Sequence, residues 1–199
     1  MKFFVNFLSA FRIFVAFLII PTIMNHLYWT TFILFALGSI SDWFDGFLAR
    51  KYNVCTKLGG VMDHIGDKLL VVNTLIILAI VMPTWVIIVP VILMIARELY
   101  ISGLREFLGT QKIEMPVPKA RFSMGKIKTT LQMVAITALL LFFAIGSILT
   151  VDSDSRFLMY MIYILPQVGV YGLWFALIAS LWSATQYTRT FIGHLKRLK

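Results

Sequence analysis

One cysteine, Cys55, stands alone in 199 residues, so no disulfide can close within the chain. Histidines number only three, and the clustered thiolates and imidazoles that select zinc are missing. No internal repeat, low-complexity tract or flexible linker breaks the chain, which leaves residues 1–199 as a single domain. Acids are also scarce, nine against eighteen lysines and arginines, for a net charge of +9. An excess of this sign can mark nucleic-acid binding when it forms a stripe. Here it follows a different pattern, which the apolar content explains.

Hydrophobic residues make up 60% of the chain and the mean hydropathy is +0.89, too apolar for a soluble domain. The sequence reads as an all-α integral membrane protein, because in lipid a spanning segment must satisfy its own backbone. A crossing takes about 20 apolar residues. Six are expected, at 7–25, 30–49, 63–82, 85–104, 127–148 and 167–187. The apolar stretch Phe157 to Leu165, ended by Pro166, is too short for a seventh and reads as interfacial or as an extension of the last helix. The N-terminus has the look of a signal peptide, but Arg12 interrupts the run and no convincing cleavage site follows, so a retained first helix with a short N-terminal amphipathic segment is expected.

Basic residues sort by side. Lys2, then Arg50, Lys51 and Lys57, then Arg105 to Lys128, then Arg189 to Lys199 all fall on one side, whereas the opposite loops hold only Arg156. Short cytoplasmic loops collect lysine and arginine. Both termini are therefore expected in the cytoplasm, and the positive charge suits anionic headgroups and substrates, with no nucleic acid.

Four of the nine acids lie within thirty residues, from Ser41 to Leu70. Asp42 and Asp45 close the second apolar stretch at i,i+3, and Asp63 and Asp67 open the third at i,i+4, so each pair projects from one helix face. Gly46, Ala49 and Gly59 strip bulk from the same faces. A single aspartate at the end of a span is usually a cap or an interfacial charge, favoured at a helix N-terminus. Capping does not call for two acids on each of two facing helices. Four like charges at the edge of hydrocarbon need cations, and an all-oxygen donor set suits Mg²⁺ or Mn²⁺. Two divalent cations would offset the four carboxylates and clamp a phosphoryl group.

The spacing Asp42-x2-Asp45-Gly46-x2-Ala49-Arg50-x8-Gly59-x3-Asp63-x3-Asp67 resembles the signature of the CDP-alcohol phosphotransferase family. The resemblance implies a six-helix homodimer in the bacterial inner (cytoplasmic) membrane, with its active site facing the cytoplasm. Its reaction would move a phosphatidyl or related group from a CDP-linked donor to an alcohol, releasing CMP. Outlying segments, NFLSAFR from Asn6, IARELYISGLRE from Ile95, GKIKTTLQMVA from Gly125 and LWSATQY from Leu181, are similar to members that join CDP-diacylglycerol to glycerol 3-phosphate. Where the family commonly has LDPxADK this chain has MDHIGDK, with His64 for a proline and Gly66 for an alanine.

By position the resemblance implies that Asp42, Asp45, Asp63 and Asp67 ligate metal. Asp67 would also be the general base on the acceptor hydroxyl, with Gly46, Arg50, Thr56 and Gly59 at the nucleotide. An acceptor that carries a phosphate needs cations. Arg97 lies inside an apolar run beside Glu98, and Arg105, Arg121, Lys126 and Lys128 follow. For Arg97 the alternative is an internal pair with Glu98, and Arg121, Lys126 and Lys128 could simply flank a cytoplasmic helix end. Serine, inositol phosphate or phosphatidylglycerol would be the rival acceptors. Intramembrane acids also serve metal or proton transporters, but those place acids at several depths in repeated halves.

Overall fold

A computed structural model describes the backbone of residues 2–52, 57–110, 124–149 and 156–198, and the side chains of residues 7–41, 59–109, 127–149 and 156–193. The described residues form six helices: α1 (Lys2–Met24), α2 (Tyr28–Tyr52), α3 (Lys57–Val81), α4 (Trp85–Thr110), α5 (Met124–Gly146) and α6 (Arg156–Leu198). Over their described residues five of them are long and apolar enough to cross a bilayer, and α2, 25 residues long, is apolar over its described part, Tyr28 to Ser41. The chain is a multi-pass, all-α membrane protein. The N-terminal segment is continuous with the first span, since α1 begins at Lys2.

Local chemistry ends the helices where the sequence changes character. After α1, His26 takes a left-handed backbone at φ 61°. Its N–H donates to Ile23 O at 3.0 Å and that of Leu27 to Thr22 O at 2.9 Å, the paired bonds that close a helix C-terminus. The Tyr28 hydroxyl, 2.7 Å from His26 Nδ1, holds the turn. Between α3 and α4, Pro83 cannot extend a helix, and Thr84 O accepts from Ile87 N and Ile88 N to start the next one.

The expected last crossing is the middle of a longer element. α6 runs 43 residues through Pro166 without a break, so Phe157 to Leu165 is its first part. At about 1.5 Å per residue it outreaches a hydrocarbon core of about 30 Å. α5 lies against α6, α1 against α3 and α2, and α4 against α6. Leu70, Leu78, Ile136, Leu139 and Leu173 pack in the shared core. Close approach of α5 and α6 depends on two glycines. A Cβ on Gly169 would lie 2.5 Å from Leu139 Cγ, and one on Gly172 2.9 Å from Ala135 Cβ.

Candidate active site at the opening of α3

Asp63 and Asp67 lie one turn apart on α3, and their Oδ1 atoms converge on one nitrogen from another helix. Arg12 of α1 is fully buried, and its Nη1 donates to Asp63 Oδ1 at 2.8 Å and to Asp67 Oδ1 at 2.7 Å. The carboxylates are the open half of the arrangement, with side chains 42% and 39% exposed against 0% for the arginine. A guanidinium buried in hydrocarbon is expensive unless paired, and two acids side by side repel unless a cation lies between them. Each group answers the other's cost. Gly66 lies at this contact, where an added Cβ would meet Ser9 O at 3.4 Å and Arg12 Cβ at 3.5 Å, ordinary van der Waals distances.

One residue further along α3 the direction changes by about 100°. Lys68 therefore turns to α4, where its Nζ donates to Ser102 Oγ at 2.5 Å. A cavity of about 230 Å³ opens there between α3, α4 and α5. Asp67, His64 and Lys68 line it from α3, Glu98 from α4, and Lys128 and Gln132 from α5, over an apolar floor. Glu98 Oε2 accepts from Lys128 Nζ at 2.6 Å and from Arg97 Nη1 at 2.8 Å. The cavity thus sets two ammonium groups beside a carboxylate that can take a proton, in a volume suited to a small polar metabolite.

The other expected site residues fall elsewhere. Arg97 is buried and turned to α6, with Nε donating to Ser180 O and Nη2 to Ser183 Oγ, each at 3.2 Å. Arg105 also faces α6, its Nη2 3.1 Å from the Tyr187 hydroxyl and its guanidinium 5.1 Å from that ring's centre. Gly59 is buried in the first turn of α3. Asp42, Asp45, Gly46 and Arg50 are carried on α2 and Lys126 on α5, with side chains outside the described residues, as are Thr56 and Arg121 altogether.

Two residues of this site escaped the sequence reading. Arg12 interrupts an apolar run, the same intramembrane-charge signal that exposes the aspartates, but its partners lie more than fifty positions away. Lys68 follows Asp67 in sequence, but helical rotation sends it to Ser102 of α4 and to the cavity.

Residues 3–182 match the family model for CDP-alcohol phosphatidyltransferases. Curated relatives named CDP-diacylglycerol--glycerol-3-phosphate 3-phosphatidyltransferase include one from Rickettsia felis, 45% identical over 55% of this chain and 57% of its own length. Another, from Sodalis glossinidius, is 34% identical over 78% and 74%. A third, from Blochmanniella floridana, is 29% identical over 91% and 86%. The chain thus spans little more than half the length of the first of these relatives.

Proposed function

Because the chain belongs to the CDP-alcohol phosphatidyltransferase family, we propose that it transfers the phosphatidyl group of CDP-diacylglycerol to glycerol 3-phosphate, giving phosphatidylglycerophosphate and CMP for phospholipid synthesis. The observation that carries this reading is Asp67, held by Arg12 on one side and opening on the other into a small cavity with Lys68 and Lys128. The relatives' printed names supply the donor and acceptor.

In this reading the acceptor occupies the cavity with its phosphate between Lys68 and Lys128. Its hydroxyl faces Asp67, which takes the proton as the oxygen bonds to the phosphorus bearing the diacylglycerol. The bond from that phosphorus to the bridging oxygen breaks, and CMP leaves with the electron pair. An alcohol is a poor nucleophile until a positioned base takes its proton. Arg105, Arg121 and Lys126 add positive charge on the approach of a dianion. Gly46, Arg50, Thr56 and Gly59 form the nucleotide side, where a guanidinium can pair with phosphate through two bonds.

The donor set fits a hard cation, since Asp63 and Asp67 are all-oxygen ligands that already converge on one positive group. Asp42, Asp45, Asp63 and Asp67 would hold two divalent cations, Mg²⁺ or Mn²⁺, whose chemistry is to withdraw charge from the diphosphate as CMP departs. The distribution of basic residues supports a cytoplasmic position for this end of the bundle and for both termini, and the family resemblance favours a bacterial inner membrane. A homodimer is the assembly that the family resemblance favours.

The test is CMP release by purified protein with CDP-diacylglycerol and Mg²⁺ or Mn²⁺, with glycerol 3-phosphate, serine, inositol phosphate and phosphatidylglycerol compared as acceptors. Metal-dependent release with glycerol 3-phosphate alone is the expected result. Release with a different acceptor keeps the reaction and overturns the substrate.

A further inference from the structure

Arg97 stands outside the acceptor cavity, on the face of α4 that looks toward α6. There it lines a second space, a groove of about 540 Å³ open to the side of the bundle. The two helices run parallel, since the contacts from Arg97 to Ser183, Tyr100 to Thr188 and Phe107 to Phe191 advance together. Depth along one wall therefore matches depth along the other.

That alignment gives the groove two chemically different ends. Leu93 and Leu181, both exposed, lie at the deep end, with Ala96 and Ala184 above them. At the shallow end, the level of the basic helix termini, are Tyr100, Thr188 and Arg189, with the Tyr100 and Thr188 hydroxyls 3.2 Å apart. The wall between is positive. Arg97, whose Nη1 pairs with Glu98, forms its middle, and Arg189 adds an exposed positive charge at the shallow end. No acid lines the groove among the described residues.

We propose that the groove between α4 and α6 binds one anionic phospholipid, with its phosphate at Arg189 and the Thr188 and Tyr100 hydroxyls and an acyl chain between Leu93 and Leu181. A soluble anion would leave the apolar half empty, and a zwitterionic lipid would bring no net negative charge to Arg189. Only a ligand with a negative head and a hydrocarbon tail, oriented with its head at the basic end, uses both. The groove is separate from the acceptor cavity and the site does not depend on the reaction proposed above, because binding is read without turnover.

Full-length protein purified from zwitterionic detergent is given phosphatidylglycerol or phosphatidylcholine with matched chains, and the lipid retained is counted by native mass spectrometry. One interfacial cation contributes about 1 kcal/mol toward an anionic lipid, so the wild type is expected to favour phosphatidylglycerol by about fivefold or more. Arg189→Gln, at an exposed position, should remove most of that preference. Ala184→Phe should lower retention of phosphatidylglycerol by filling the groove, with Arg189 still in place. A wild type with no preference, or a preference that survives both substitutions, overturns the proposal. So does a dimer that Ala184→Phe disperses, since a second copy would then be what fills the groove.

Discussion

Arg12 and Asp67, on different helices and 55 positions apart, meet at 2.7 Å with the arginine wholly buried. The same nitrogen holds Asp63, so a single cation from α1 fixes both acids of α3 before any ligand arrives. Replacing Arg12 by Met removes that cation and leaves two adjacent carboxylates. Breaking a buried pair costs several kcal/mol, and the partial exposure of the acids reduces this to about 2 kcal/mol. The expected result is a lower unfolding temperature in detergent and CMP release down by about tenfold or more. Arg12→Lys keeps the charge but not the planar fork, and should recover part of both. A Met variant as stable and active as the parent would remove Arg12 from the site.

Asp67→Asn tests the base. The amide keeps the shape and can still meet Arg12 through its carbonyl oxygen, so folding and nucleotide binding should persist. Turnover should fall by about 10² to 10⁴, the range a positioned general base supplies. Nucleotide affinity by calorimetry and CMP release on the same preparation separate the two effects. Full turnover in the Asn variant would sink the assignment.

Much of this was legible in the sequence, and for a physical reason. Apolar runs of crossing length and charges that are expensive in hydrocarbon are local signals, so the helices and the four aspartates stand out without a fold. Direction around a helix is not local. Arg97 and Glu98 are neighbours in sequence, but Glu98 faces the cavity while Arg97 faces Ser180 and Ser183 of α6. Pro166 marks a helix end in a soluble chain. Inside α6 the helix continues through it, as membrane helices permit when surrounding groups satisfy the freed carbonyl.

Lys68 and Lys128 separate acceptor binding from catalysis. If both meet the acceptor phosphate, changing either to Gln should raise KM for glycerol 3-phosphate by about tenfold or more, the weight of one charge-assisted hydrogen bond. KM for CDP-diacylglycerol should move little. Lys128→Gln leaves Glu98 paired with Arg97, so the cavity wall keeps one of its two ion pairs. Initial rates with each substrate varied in turn decide the matter. A rise confined to the lipid substrate would place these lysines at the nucleotide instead.

The packing of α5 on α6 sets the last expectation. Gly172 leaves no room for a side chain, because a Cβ would stand 2.9 Å from Ala135 Cβ and 3.4 Å from Ala135 Cα, the second of these being backbone. Backbone cannot rotate away as a flexible side chain can, so the helices must separate to admit even a methyl group. Overpacking of this kind costs about 1 to 3 kcal/mol. Gly172→Val should therefore lower the unfolding temperature clearly, whereas Gly103→Ala, with open space at its Cβ position, should not. Equal behaviour of the two variants in a detergent melt would mean that α5 and α6 do not pack this closely.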